Sequence, residues 1–220
     1  MFQFTLCSED NLASKYVTAI QPFWENNVLH GTIDGAGELV KVTIAYAYAL
    51  HPQPLGAVVI SSGRIESLIK YKEVVYDFYQ NGYSVFIHDH RGQGLSGRML
   101  DNSQIGYVGN FSEYVDDFKK FIDEVVTKKT PHKPKLLCHS MGGTIGALTV
   151  LRYPELFEKV ALSAPMFGIR PPLPDWLAGP TPQGISSLGS SRKRQWRTTP
   201  PWPVAPLPGR LPWYRRQPSV

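Results

Sequence analysis

Between about residue 28 and residue 165, short unbroken apolar runs alternate with longer stretches whose apolar side chains recur every three or four positions. No other feature restricts the fold as strongly. "AVVIS" (57–61), "YSVFIHD" (83–89), "KLLCH" (135–139) and "KVALSAP" (159–165) are too short for helices and too apolar for strands with one wet face, so they read as buried strands. "LVKVTIAYAYAL" (39–50) is strand-like through its β-branched and aromatic residues. "ESLIKYKEVVYDFYQ" (66–80) puts Leu68, Tyr71, Val75 and Phe78 on one helical face, and Gly82 ends it. "SEYVDDFKKFIDEVV" (112–126) opens on Ser112, an expected N-cap, and aligns Tyr114, Phe118, Phe121 and Val125. "MGGTIGALTVLR" (141–152) is a third helix. Repeated βαβ units require an α/β fold, a mostly parallel sheet with helices on both faces. Sites in such sheets form beyond the carboxyl ends of the strands.

After about residue 176 the period is lost. Twelve of the 19 prolines and four of the five tryptophans fall in the last 50 residues. The chain therefore divides into 1–177, the N-terminal portion of one α/β domain, and 178–220, an irregular Pro/Arg/Trp-rich tail. Two mechanisms give such a tail. One is a disordered segment, with "PPWPVAPLP" as a polyproline ligand. The other is an out-of-frame reading of a GC-rich gene, favoured here because disordered segments are poor in tryptophan.

The tail also carries the charge. Residues 171–220 hold seven Lys and Arg and one acid, Asp175, whereas the other 170 residues hold 16 basic and 17 acidic side chains. The formal charge of +5 is thus no reason to expect a nucleic-acid partner for the body. Two cysteines, Cys7 and Cys138, are too few for a disulfide framework and fit a reducing compartment. "MFQFTLCSEDNLASK" lacks the basic start and apolar core of a signal peptide, and no apolar run reaches the roughly 18–20 residues that span a bilayer. The expectation is a cytoplasmic protein.

"LLCHSMGG" (136–143) places Ser140 between an apolar strand and an Ala/Gly-rich helix. A nucleophile elbow has this context, with small residues two positions either side of the serine, usually as G-x-S-x-G. Cys138 replaces the first glycine, and Gly142 and Gly143 follow. Ser140 is the candidate nucleophile. His139 points elsewhere as its neighbour and is assigned to loop support. The oxyanion of an acyl-transfer intermediate needs two backbone N–H donors. Met141, at the start of the helix, should supply one, and Arg64, in the loop "SSGRIES" after the 57–61 strand, the other. Gly63 lets that loop approach.

"SSGRIESLIKYKE", "FIHDHRGQGLSGR", "CHSMGG" and "LSAPMFGI" together resemble the α/β-hydrolase superfamily in its monoacylglycerol-lipase-like branch. They are most similar to the bacterial lysophospholipases of the L-two type. The resemblance runs from roughly residue 20 to 177. It implies an α/β-hydrolase fold and a serine carboxylester hydrolase. Such an enzyme removes the single acyl chain of a lysophospholipid or monoacylglycerol through an acyl-serine intermediate. It also implies peripheral contact with the inner face of the inner membrane. Asp89, His90, Arg91 and Gly92, with Gly63, His139 and Gly142, are then expected to support the loops of the site. No cofactor and no metal is implied.

In that family the triad acid and then the histidine follow the serine. Here every histidine lies at or before position 139. The acids after Ser140 are Glu155, Glu158 and Asp175. The 141–152 helix, about 18 Å long at 1.5 Å per residue, carries the first two away from the serine. No triad Asp or His is identifiable. The late strands, the cap, the acid and the histidine are expected to be missing, leaving the serine unactivated. His88 and His90 end at the right sheet edge but one strand away, roughly 10 Å at about 4.8 Å per strand. His30, His51 and His132 read as solvated. Two other functions stay open: a non-catalytic lipid- or partner-binding remnant whose "RKRQWR" and "PWYRRQ" suit a membrane interface, and an acyltransferase. Oligomeric state is not legible.

Overall fold

The structure, a computed structural model of the 220-residue chain, describes residues 4–37, 41–103 and 105–168 and a two-residue strand at 196–197. Asp175 and, apart from 196–197, the 178–220 tail lie outside the described residues.

The described strands are β1 (Leu29–Asp34), β2 (Thr43–Ala49), β3 (Gly56–Ser61), β4 (Tyr83–His88), β5 (Ile105–Gly106), β6 (Lys135–His139), β7 (Val160–Ser163) and β8 (Trp196–Arg197). Six of them form one sheet in the order β1-β2-β4-β3-β6-β7, and β5 pairs with β8 separately. The β4–β3, β3–β6 and β6–β7 pairs are parallel, while β1–β2 and β2–β4 are antiparallel. The expected α/β architecture is present, with an antiparallel hairpin on one edge. β1 carries no buried run because it is the edge strand, so "LHGTID" shows little of the apolar signal that marks β3 and β4.

The chain opens with α1 (Glu9–Lys15), a π-helical turn (Tyr16–Ile20) and α2 (Gln21–Asn27). A 3-10 turn (Leu68–Tyr71) leads into α3 (Lys72–Gln80). α4 (Ser112–Phe121) continues through a π-helical turn (Ile122–Val126) into α5 (Thr127–Lys129), and α6 (Met141–Arg152) follows β6. Ser112 is not the N-cap expected of it. Phe111 takes that position, and Asn110 Oδ1 accepts from both the Ser112 N–H (2.9 Å) and the Ser112 hydroxyl (3.0 Å). The asparagine two residues upstream closes the turn first, so the serine side chain is already committed.

The strand period of two sorts the core into layers. Val59 and Phe86 face Phe118, Phe121 and Ile122 of the α4 segment and Ile145 of α6. Val58, Ile60, Val85 and Ile87 face Phe23, Trp24, Leu68 and Val75. All four expected positions of the 112–126 stretch are buried. Each fully buried Phe contributes about 2–3 kcal/mol of transfer free energy. The two layers fix β3, β4 and β6 side by side, so their carboxyl ends open on one rim.

Candidate active site

Ser140 occupies that rim, between β6 and α6, with φ 51° and ψ −117°. A backbone of this kind in a non-glycine residue costs roughly 1–3 kcal/mol and persists only where surrounding contacts enforce it. Here Ser140 N–H donates to Ser163 O (3.1 Å), and Ser140 O accepts from Gly143 N–H (2.9 Å) and Met166 N–H (2.9 Å). A Cβ at Gly142 would overlap the Ser61 and Ser62 carbonyl oxygens, so α6 starts hard against the end of β3. Cys138 in place of the usual glycine is accommodated from the helix side, because its Sγ lies against Gly146, where a Cβ would overlap it. Cys138 is fully buried, and burial pushes its thiol up to about 12, so it is a neutral filler.

The loop after β3 approaches the elbow. A Cβ at Gly63 would lie 3.2 Å from His139 Cδ2 and 2.8 Å from Glu66 Oε2. Glu66 Oε2 accepts from Gly63 N–H (2.6 Å) and from the Tyr71 hydroxyl (2.6 Å). Ile65, at φ 59°, donates its N–H to Gln93 Oε1 (3.2 Å). Half-buried Arg64 lies between these two committed positions in the chain, and buried Met141 opens α6 directly after Ser140.

The segment after β4 supports this loop. Asp89 accepts from Leu68 N–H (2.6 Å), Leu95 N–H (2.6 Å) and the Ser67 hydroxyl (3.2 Å), so one carboxylate ties three points together. Burial raises its carboxyl above the ordinary range, with the two backbone bonds pulling the other way. Gly94 (φ 54°) has no room for a Cβ beside Asp89. Arg91 is buried and grips Asp117 through Nε (2.6 Å) and a second nitrogen (2.7 Å), Glu113, and Ala36 O (2.5 Å). Gly92 N–H closes the loop on Gly97 O (3.0 Å).

His88 and His90 are fully buried with their rings in contact. His90 Nε2 lies 3.1 Å from Ser62 O, which can only accept, so that nitrogen carries the proton. His90 Nδ1 must then accept from His88 Nε2 at 3.2 Å, leaving His88 Nδ1 as the unpartnered lone pair. The pair is neutral and holds the end of β3. In the sheet order β3 separates β4 from β6, so both rings are one strand removed from the serine. His30 packs edge-on against Trp24 and His51 against Tyr79. Glu155 and Glu158 lie beside Lys133 and Lys135, at the start of β6 and away from its Ser140 end. Among the described residues, no group of three or more His, Cys, Asp or Glu is placed to hold a metal ion.

Gln93 and Glu66 carry much of the loop geometry, yet nothing in the sequence marks them out. Gln93 sits inside "HRGQGLSG" as a polar spacer between glycines, and Glu66 reads as the exposed start of a helix.

Burying neutral histidines sets a pH dependence. Burial pushes His90 down from 6.5 to about 4, against the pull of its bond to Ser62 O and the charge of Glu66. Burial and then the neighbouring His90 push His88 well below 6.5. Both folded values lie below the unfolded one, so the unfolded chain binds more protons in this window. Stability is full above pH 6.5 and falls as pH drops, by about 3 kcal/mol from His90 alone by pH 4. Urea unfolding from pH 7.5 to 4 should show this fall, and His90→Gln should make it shallower by the share of His90, leaving that of His88. Asp89 acts in the opposite sense, equally in both proteins, and cancels in the comparison. An unchanged slope in the variant would contradict the assignment.

The profile of the family described as serine aminopeptidase, S33, matches residues 52–204. Lysophospholipase L2 of Escherichia coli strain K12 is 46% identical over 121 residues, covering 55% of this chain and 36% of that protein. Monoacylglycerol lipase of Mycolicibacterium smegmatis is 34% identical over 113 residues, covering 51% and 38%. The matched part thus spans well under half the length of these curated relatives. The crystal structure of an epoxide hydrolase from Vigna radiata superposes with a TM-score of 0.52 at 19% identity, over 66% of this chain and 41% of that one, a likeness of fold.

Proposed function

The chain belongs to the serine aminopeptidase S33 family, and from that premise we propose that it carries the nucleophile and oxyanion half of a serine hydrolase for lipid esters. Lysophospholipids or monoacylglycerols are the substrate class. The observation that carries this reading is the strained Ser140 (φ 51°) on a strand-to-helix turn. Its helix start is pressed against the β3 end, beside the Gly63–Ile65 loop. The names of the two lipases above support the lipid class.

In this reading Ser140 Oγ attacks the ester carbonyl carbon, and the carbonyl oxygen takes up negative charge between the Met141 and Arg64 N–H groups. The carbon–oxygen bond to the glycerol moiety breaks, leaving an acyl-serine that water hydrolyses. Amide and ester substrates share these steps, so the family's peptidase name does not oppose an ester substrate. The Ser140 proton must pass to a base. His88 and His90 are spent on each other and on Ser62 O, and no histidine follows position 139. The 220-residue chain is therefore a weak catalyst in this proposal, and the full activity belongs to an arrangement with an added base.

Turnover of p-nitrophenyl butyrate and of lysophosphatidylcholine by the purified chain tests this. The expected rate is at most roughly a thousandfold above the uncatalysed one, the level an oxyanion hole and binding sustain without the triad. Residual turnover of that kind does not need the serine, so the acyl adduct on Ser140, read by intact mass, is the measure of the nucleophile, and Ser140→Ala should abolish it. Strong turnover lost in Ser140→Ala overturns the weak-catalyst claim, and an acyl adduct that survives Ser140→Ala overturns the nucleophile assignment.

A cytoplasmic site of action with peripheral contact to the inner membrane belongs to the same proposal. Exposed Ile65, Leu95 and Phe167 support it. No described helix is long and apolar enough to cross a membrane.

A further inference from the structure

Ile65 is a β-branched, exposed residue in the left-handed region at φ 59°. Few residues are less suited to that conformation, because the branched Cβ crowds the following carbonyl. Ser140 and Ala164 are the other described non-glycine residues with positive φ, and both belong to the elbow and the strand end beside it. Strain at Ile65 therefore sits on the third element of the same rim and must be held by something.

The primary amide of Gln93 holds it. Its Oε1 accepts from Ile65 N–H (3.2 Å), and its Nε2 donates to Gly63 O (2.8 Å) and Glu66 O (3.3 Å). One side chain thus spans the loop from Gly63 to Glu66, using both ends of an amide that offers an acceptor and two donors. Gln93 is itself fixed. Its N–H donates to His90 O (3.2 Å), and its O accepts from Ser96 N–H (3.1 Å), while the Ser96 hydroxyl donates to Asp89 O (2.7 Å). From the other side Glu66 Oε2 holds Gly63 N–H. The Gly63 and Ile65 N–H groups are both turned into the protein by these bonds.

We propose that Gln93 is a positioning residue: its amide holds Ile65 in the left-handed conformation and so sets the direction of the Arg64 N–H toward an oxyanion above Ser140. The inference rests on the serine-hydrolase reading for what the loop does. It rests on the observed bonds alone for how the loop is held.

Four proteins test it: wild type, Gln93→Ala, Ile65→Gly and the double variant, with Ser140→Ala as control for the parent reading. Glycine adopts φ near +60° without crowding, so Ile65→Gly removes the strain that Gln93 opposes. The first measurement is amide hydrogen exchange at Gly63, Arg64 and Ile65 by NMR. Gln93→Ala should speed Ile65 exchange at least tenfold while the urea midpoint moves little, and in the Ile65→Gly background the same change should have a threefold effect or less. The second is the rate at which a fluorophosphonate labels Ser140, read by intact mass. It should fall about tenfold in Gln93→Ala, with less loss in the Ile65→Gly background.

Unchanged exchange at Ile65 in Gln93→Ala, or effects that simply multiply in the double variant, overturns the positioning role. So does unchanged labelling alongside accelerated exchange, because the loop would then move without consequence for the serine. Labelling that survives Ser140→Ala overturns the nucleophile assignment instead; slow labelling of wild type is what a serine without a base gives, and the exchange data then decide whether Gln93 holds the loop.

Discussion

Arg91→Ala is expected to destabilise the folded chain by about 3–5 kcal/mol, the cost of removing one partner from a buried charge pair. Arg91 is 2% exposed and Asp117 is 1% exposed. Asp117 takes two bonds from the guanidinium and a third from the Ala36 N–H (2.6 Å), so without Arg91 a carboxylate stays buried with one donor. The same arginine reaches Ala36 O and Glu113, so it joins the segment after β1, the rim loop and α4. Arg91→Lys should recover only part of the loss, since an ammonium cannot match a two-oxygen fork. Urea unfolding at pH 7 measures both, and a loss under 1 kcal/mol in the alanine variant would show that water reaches Asp117. Domains of this size have only about 5–15 kcal/mol in hand, so much of the chain could unfold at room temperature.

Gly142→Ala is the second large effect, at about 3 kcal/mol net. Alanine would gain roughly 1 kcal/mol in helix propensity. Against that, the new methyl group meets the carbonyl oxygens of Ser61 and Ser62. Ser61 ends a parallel strand paired on both sides, and Ser62 O, just beyond it, takes the His90 bond, so neither carbonyl can retreat. Overpacking against immobile backbone is costly. Gly63→Ala provides the contrast. Its Cβ would meet the ends of two side chains, Glu66 and His139, and displacing Glu66 loosens its bonds to Gly63 N–H and Tyr71 but leaves the strand backbone in place. Its cost should stay near 1 kcal/mol. Equal unfolding midpoints for the two variants would refute this distinction between backbone and side-chain obstruction.

The strands and helices that pack in the centre were legible because burial on both faces leaves a mark on consecutive residues. β6 and α6 lie at the expected positions, Lys135–His139 and Met141–Arg152. β1 was not legible, since an edge strand with alternating exposed and half-buried residues needs no apolar run. Ser112 misled for a local reason, as Asn110 upstream competes for the same turn. Within the candidate site, Ser140 and the two glycines that follow it form a contiguous string and could be read directly. Gln93 could not, because its partners Gly63 and Ile65 are about 30 residues away and its bonds exist only after β3 and β4 pair.

The order of apolar and amphipathic segments along the chain was enough for the α/β architecture and for the rim on which Ser140, the candidate nucleophile, lies, because periodicity and turn chemistry act over a few neighbouring residues. The neutral state of the His88–His90 pair and the grip of Arg91 on α4 came from contacts across the fold. So did the space for Cys138 beside Gly146 and the clamp of Gln93 on a strained Ile65. These depend on which surfaces meet in three dimensions, and burial alone makes their proton placement, steric limits and strain matter.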